Sequence, residues 1–204
     1  MNYRGLVMPL FEPQNKKEQP INQYRIHIDE ADAVKKFGHC FAQHLAKLYL
    51  PVNRKKVIVC IGTDRSTGDC LGPLVGSKLA EHNPTRFEVR GTLDEPVHAS
   101  NLQDCLNSLQ KYDNPFIVAI DACLGNIDSV GYLNLGPGPL KPGAGVNKQL
   151  PPVGDVHITG IVNVGGFMEY FVLQNTRLSL VMKMAKTISS GILQGYSLFA
   201  HNMV

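Results

Sequence analysis

Tryptophan is absent, which removes one common interface anchor and decides nothing more. No Cys-x-x-Cys pair occurs. The five cysteines, Cys40, Cys60, Cys70, Cys105 and Cys123, are odd in number, so neither a zinc knuckle nor a dithiol redox motif is supported. Free thiols in a reducing cytoplasm fit them. No apolar run reaches the roughly 18 residues of a membrane-spanning helix. The short apolar stretch near the N-terminus is broken by Pro9 and makes a poor signal peptide, so a cytoplasmic location and no membrane partner are expected. There is no dense basic stripe either: 20 Lys and Arg stand against 17 Asp and Glu, a net charge of +3, and no nucleic-acid partner is indicated. The glycine-bearing loop Gly62 to Gly68 is not followed by Gly-Lys-Ser/Thr, and no Gly-x-Gly-x-x-Gly exists, so nucleotide binding has no motif behind it.

What remains is an ordinary globular composition, 44% apolar over 204 residues, enough for one domain with an added segment. Residues 1–50 are expected to form an N-terminal arm and helix, with residues 1–28 as the arm. Val34, Phe37, Phe41, Leu45 and Leu48 recur at three- and four-residue steps and predict the helix. This apolar stripe is a candidate surface for a homo-oligomer. Residues 51–204 are expected to form an α/β domain. Val57 to Ile61 and Phe116 to Ile120 read as strands covered on both faces. Phe87 to Val89, Val130 to Leu135 and His157 to Val164 read as further strands, about five in all. Helices are expected through Val75 and Leu79, behind a Ser100–Gln103 capping box, and at the C-terminus on Leu178, Val181, Ala185, Ile188 and Ile192. Residues 136–155 are too rich in glycine and proline for regular structure, and loops of that length are commonly functional. Strands alternating with helices imply a mostly parallel, mixed sheet with helices on both faces.

In such sheets ligands bind beyond the carboxyl ends of the strands. Asp69 and Asp121 both fall there. Asp69 also has the position of a helix N-cap, with Pro73 in the first turn. Asp121 directly follows an apolar strand, where a carboxylate is desolvated unless partnered, and its other reading is an Asx-type turn toward Gly125. Two carboxylates about 4 Å apart, at an effective dielectric of about 20, repel by about 4 kcal/mol, enough to keep one protonated near neutral pH. Such a pair titrates as a unit, one acid and one base, and can activate water against a carbonyl. The same two carboxylates with His157 are, alternatively, a ligand set for a divalent metal. Cys70 and Cys123 flank the aspartates, so a cysteine–histidine hydrolase using His157 is a further alternative, against the plainer reading of both thiols as small buried hydrophobes.

The order strand–GTDRSTGDCLGP–helix, FIVAIDACLG, KPGAGVNK and HITGIV resembles the germination endopeptidase family of spore-forming bacteria. It is most similar to the smaller sporulation family called spore protease YyaC, and its core also resembles the hydrogenase maturation endopeptidases. The likeness covers about residues 55 to 195. It implies a three-layer α/β/α fold of the phosphorylase/hydrolase-like kind and an intracellular endopeptidase of sporulation or germination. Asp69 and Asp121 would be its catalytic residues. Gly68, Gly72, Gly143, Gly145 and Asn147 would line the substrate. The maturation enzymes add the implication of a metal touched by Asp69, Asp121 and His157. The implied partner is a protein or peptide substrate, small acid-soluble spore proteins among them, and the implied place is the forespore. The chain is much shorter than the germination protease, and residues 1–50 do not match that enzyme's propeptide, so zymogen control does not carry over. A catalytically silent protein that binds a partner through the same cleft has the same sequence signature.

Overall fold

The computed structural model describes residues 22–48, 54–82, 86–143 and 150–201. Its centre is the pair of strands β2 (Lys56–Cys60) and β4 (Phe116–Gly125). Val57, Ile58, Val59 and Cys60 are each 0% exposed, which is why an unbroken apolar run is stable there and nowhere on the surface. With β1 (Tyr24–His27), β3 (Glu88–Arg90), β5 (Tyr132–Pro137) and β6 (Val156–Val164) they form a mixed sheet of order β1-β5-β6-β4-β2-β3. β3, β2, β4 and β6 run parallel, whereas β5 and β1 are antiparallel to their neighbours.

Helices α1 (Ala33–Lys47), α2 (Leu71–His82) and α5 (Leu178–His201) bring Phe37, Phe41, Val75, Leu79, Ile188 and Ile192 to one face of the sheet. Helix α3 (Leu102–Leu109) covers the other face through Leu102 and Leu109, beside Leu140 and Val153. The three layers expected from the sequence are thus present, with six strands in place of about five. β2 leads through α2 to β3 on one side of it. The chain then crosses back through α3 to β4 on the other side. The strand order reverses between β2 and β4, and a crevice opens above their carboxyl ends.

Several expectations are corrected. Residues 24–27, read as part of an arm, are the edge strand β1, paired with β5. Residues 1–21 lie outside the described residues. Phe37, Phe41 and Leu45 are fully buried among the core residues that α1 shares with α5, so the centre of the apolar stripe packs inside the molecule. The Ser100–Gln103 capping box is not formed. Ser100 Oγ meets His98 Nδ1 at 2.9 Å, and Gln103 donates to Asn107 one turn on. Leu178 is 57% exposed, because α5 only reaches the core from Val181 onward. A short helix, α4 (Glu169–Gln174), was not anticipated.

Candidate active site

β2 ends in a loop that doubles back on itself. The Gly62 amide donates to the Val97 carbonyl (2.8 Å), and Thr63 donates to the Asp69 carbonyl (3.2 Å). Gly62 has φ +144°, and a Cβ there would stand 1.9 Å from the Asp69 carbonyl oxygen. A Cβ at Gly72 would stand 2.1 Å from the Ile61 carbonyl oxygen. These close approaches let the start of α2 sit against the end of β2, which fixes Asp69 at the mouth of the crevice. Asp121 is delivered differently. β4 does not stop at Ile120 but runs on to Gly125 beside β6, so Asp121 is a strand residue, opposite Thr159, with a register shift only after Cys123.

Asp121 is 8% exposed, and its Oδ1 accepts from the Ala122 amide at 2.8 Å. Burial drives its carboxyl well above the ordinary range, and the nearby Asp69 charge pushes the same way; the Ala122 amide opposes both. Asp69 is also raised by burial, with the Thr63 amide and the His98 imidazole pulling it back. The two carboxyls therefore differ in kind. Asp121 is raised the more strongly, whereas Asp69 has two groups that favour its charged form, so the two titrate as an unequal pair.

Both line a cleft of about 1030 Å³. Thr63, Arg65, Ser66 and His98 supply polar lining; Met168, Tyr170 and Phe171, from the entry and first turn of α4, supply an apolar wall. That wall is tied to the aspartate loop, because Gly68 donates to the Leu173 carbonyl (2.8 Å) and Asn163 Nδ2 lies 3.2 Å from both Val172 O and Thr176 Oγ1. Ser66 Oγ is buried in the wall without a hydrogen-bond partner among the described residues. An orphaned hydroxyl in a cleft is a group left for a ligand or for a rotation to meet one.

Not every residue singled out in the sequence lies here. His157 pairs in register with Ala119, two residues below Asp121, or roughly 6.6 Å down the strand. Its Nδ1 meets the Gly138 carbonyl at 3.1 Å, under the neck of the long loop that Leu140 and Val153 close. It is not among the cleft residues. Among the described residues no three His, Cys, Asp or Glu side chains stand together as a metal site, so the residues do not fit the metal reading of Asp69, Asp121 and His157. Gly68 and Gly72 are packing glycines, pressed against Leu173 and Ile61, and do not line the cleft. Gly143 lines it; Gly145 and Asn147 lie outside the described residues.

Neither thiol is activated. Cys70 gives its S–H to the Thr67 carbonyl, and burial raises its pKa. Cys123, hydrogen-bonded to Thr159, is pushed up to about 11 by burial. A nucleophilic cysteine needs the opposite shift.

His98 and Ser66 were missed. His98 belongs to no regular element and gains its place from one parallel bridge, Ile61 with Val97, that no local pattern announces. Ser66 lay within the polar loop already noticed; only its burial distinguishes it.

The fold and the cleft define a class: a doubly wound α/β/α domain with two desolvated carboxyls, Asp69 and Asp121, at its switch point. The chain belongs to the family described as Protein of unknown function (DUF1256), whose model matches residues 25–191. It is 54% identical over 193 residues to Uncharacterized protein YyaC of Bacillus subtilis (strain 168), over 94% of this chain and 89% of that one. Among solved structures it is similar to the NiFe hydrogenase maturation protease HycI from Thermococcus kodakarensis KOD1, with a TM-score of 0.43 and 19% identity, over 68% of this chain and 92% of the other.

Proposed function

We propose that the chain is an intracellular endopeptidase of sporulation or germination that hydrolyses peptide bonds of a spore protein with the pair Asp69 and Asp121. The observation that carries this reading is the pair itself: two desolvated carboxyls in one open cleft, one of them raised further by the other's charge. The motif order shared with the germination endopeptidases agrees with it. Protonated Asp121 donates to the carbonyl oxygen of the scissile bond. Ionised Asp69 takes a proton from water as its oxygen bonds to the carbonyl carbon. The substrate is a protein, small acid-soluble spore proteins being the first choice, and the setting is the forespore cytoplasm.

The test is cleavage of purified small acid-soluble spore proteins and of total forespore extract. Wild type is run beside Asp69→Asn and Asp121→Asn, each confirmed as folded by circular dichroism. Fragments that appear with wild type alone support the reading. Equal cleavage by Asp121→Asn, or no cleavage by any folded form, removes it. A second reading, a silent protein that holds a partner in the same cleft, has its own observation: Phe167, Tyr170 and Phe171 are 84%, 60% and 52% exposed beside the cleft. It expects equal peptide binding by wild type and Asp121→Asn, with no turnover by either.

A further inference from the structure

The acid–base pair accounts for the attacking water and the carbonyl oxygen but leaves one proton of the reaction unplaced. A peptide bond breaks only when its nitrogen leaves as an amine, and that nitrogen must be protonated first. Asp121 has given its proton to the carbonyl oxygen, and Asp69 holds the one taken from water. Among the described residues the cleft wall also carries an imidazole, His98, a side chain able to hold and give up a proton.

Its position is built rather than incidental. The Ile61–Val97 bridge continues the β2 edge by one residue, so His98 stands next to the Asp69 loop. Its main-chain amide is held by Asn101 Oδ1 (2.8 Å), and Asn101 Nδ2 is tied back to the Pro96 carbonyl (2.9 Å). Its ring Nδ1 meets Ser100 Oγ at 2.9 Å. A serine hydroxyl both donates and accepts, so it satisfies Nδ1 whether that atom carries a proton or not, which leaves Nε2 to change state. The ring is close enough to Asp69 to favour its charged carboxylate. The other ionisable groups on the cleft wall, among the described residues, are Arg65, Glu169 and Asp121.

On the reading proposed above, we infer that His98 is a third catalytic residue, the acid that protonates the departing amine. Water adds to the carbonyl carbon, with one of its protons on Asp69 and the Asp121 proton on the former carbonyl oxygen. The imidazolium of His98 gives its Nε2 proton to the nitrogen as the carbon–nitrogen bond breaks. The tetrahedral hydroxyl returns its proton to Asp121 as the new carboxyl forms. The proton on Asp69 passes to His98 and restores the starting state. Atoms and charges balance with water as the only co-reactant.

The experiment takes one peptide that wild type cleaves and its depsipeptide analogue, in which an ester replaces the scissile amide. An ester's leaving oxygen depends far less on prior protonation than an amide's nitrogen. Wild type, His98→Gln, His98→Asn and Asp121→Asn are compared on both across pH 5 to 9. His98→Asn retains an amide group near the Nδ1 position that Ser100 meets, so the loop stays anchored. The expected result is a loss of about 100-fold on the peptide for both histidine variants. The loss on the ester should be less than about tenfold, and the high-pH limb of the peptide profile should vanish. Equal losses on peptide and ester, or none on either, overturn the role of His98 while the acidic pair stands. If Asp121→Asn matches wild type on the peptide, the acidic pair itself falls, and the role of His98 with it.

Discussion

Gly62 and Asp69 are in van der Waals contact through their backbones, and a single added methyl group on Gly62 would lie 1.9 Å from the Asp69 carbonyl oxygen. The φ of +144° at Gly62 is also one that side-chain-bearing residues rarely adopt. Gly62→Ala therefore has to displace the turn that carries Asp69. The expected cost is at least about 2 kcal/mol in urea unfolding. Cleavage should fall more than the unfolded fraction explains, since a shift of about 1 Å at a catalytic group costs on the order of 100-fold. A variant with unchanged stability would show that the loop relaxes freely, and that Gly62 does not position Asp69.

Asp121 makes a prediction about stability that runs opposite to activity. Its pKa in the folded chain lies above the unfolded value of 3.8. Between those two pH values the folded state holds a proton that the unfolded state has lost, so stability falls as pH rises. Asp121→Asn keeps an acceptor for the Ala122 amide and removes the ionisation. The variant should be more stable than wild type at pH 7, and the gain should shrink toward zero as pH drops below about 4. It should also have lost cleavage by about 100-fold or more. Thermal unfolding at pH 4 and pH 7 reads this directly. A variant less stable than wild type at pH 7 would mean that the carboxyl is ionised and held by a partner.

The strands β2 and β4 could be read from the sequence because a strand covered on both faces must be apolar at every position, and Val57 to Ile61 and Phe116 to Ile120 are. Asp121 followed, because a charged residue just past such a run stands out, whereas Asp69 was picked at the far end of the loop behind the first run. The extra length of β4 was hidden: Asp121, Ala122 and Cys123 continue the strand only because β6 offers them partners. β1 is four residues at an edge, and its pairing with β5 spans more than a hundred positions. Helix α4 is a six-residue helix entered through Met168 in a left-handed conformation, and its link to the Gly68 loop is made across the chain. His157 was misplaced by one pleat of register, a quantity only strand pairing determines. Site features made by distant contacts left no local trace.

His44 predicts a second pH dependence with the opposite sign. Its ring is 1% exposed inside α1, Nδ1 meets the Cys40 carbonyl at 3.0 Å, and Nε2 has no hydrogen-bond partner among the described residues. Burial holds its pKa below the ordinary 6.5, which favours the neutral ring in the folded chain. As pH falls through 6.5 the unfolded chain takes up a proton that the folded chain refuses, and stability drops. His44→Leu removes this term and the orphaned nitrogen together. The stability difference between pH 7.5 and pH 5.5, from urea midpoints, should be smaller in the variant than in wild type. An unchanged difference would show that His44 accepts a proton without unfolding.

The cysteines decide between the acidic pair and a thiol nucleophile. Burial raises all five thiols, and Cys123, the one nearest Asp121, reaches about 11. The thiolate is the reactive form, so at pH 7.5 Cys123 should be alkylated far more slowly than a free cysteine, whose pKa is near 8.5. Iodoacetamide at that pH should leave cleavage intact while intact-mass spectra show little labelling at Cys70 or Cys123. Raising the pH to 9 should speed labelling at the half-exposed Cys40 and Cys105 first, because Cys60 and Cys70 are shielded as well as protonated. Loss of activity in step with a single adduct on Cys70 or Cys123 would reverse this assignment. It would make the neighbouring carboxylate the group that orients a nucleophile rather than the group that activates water.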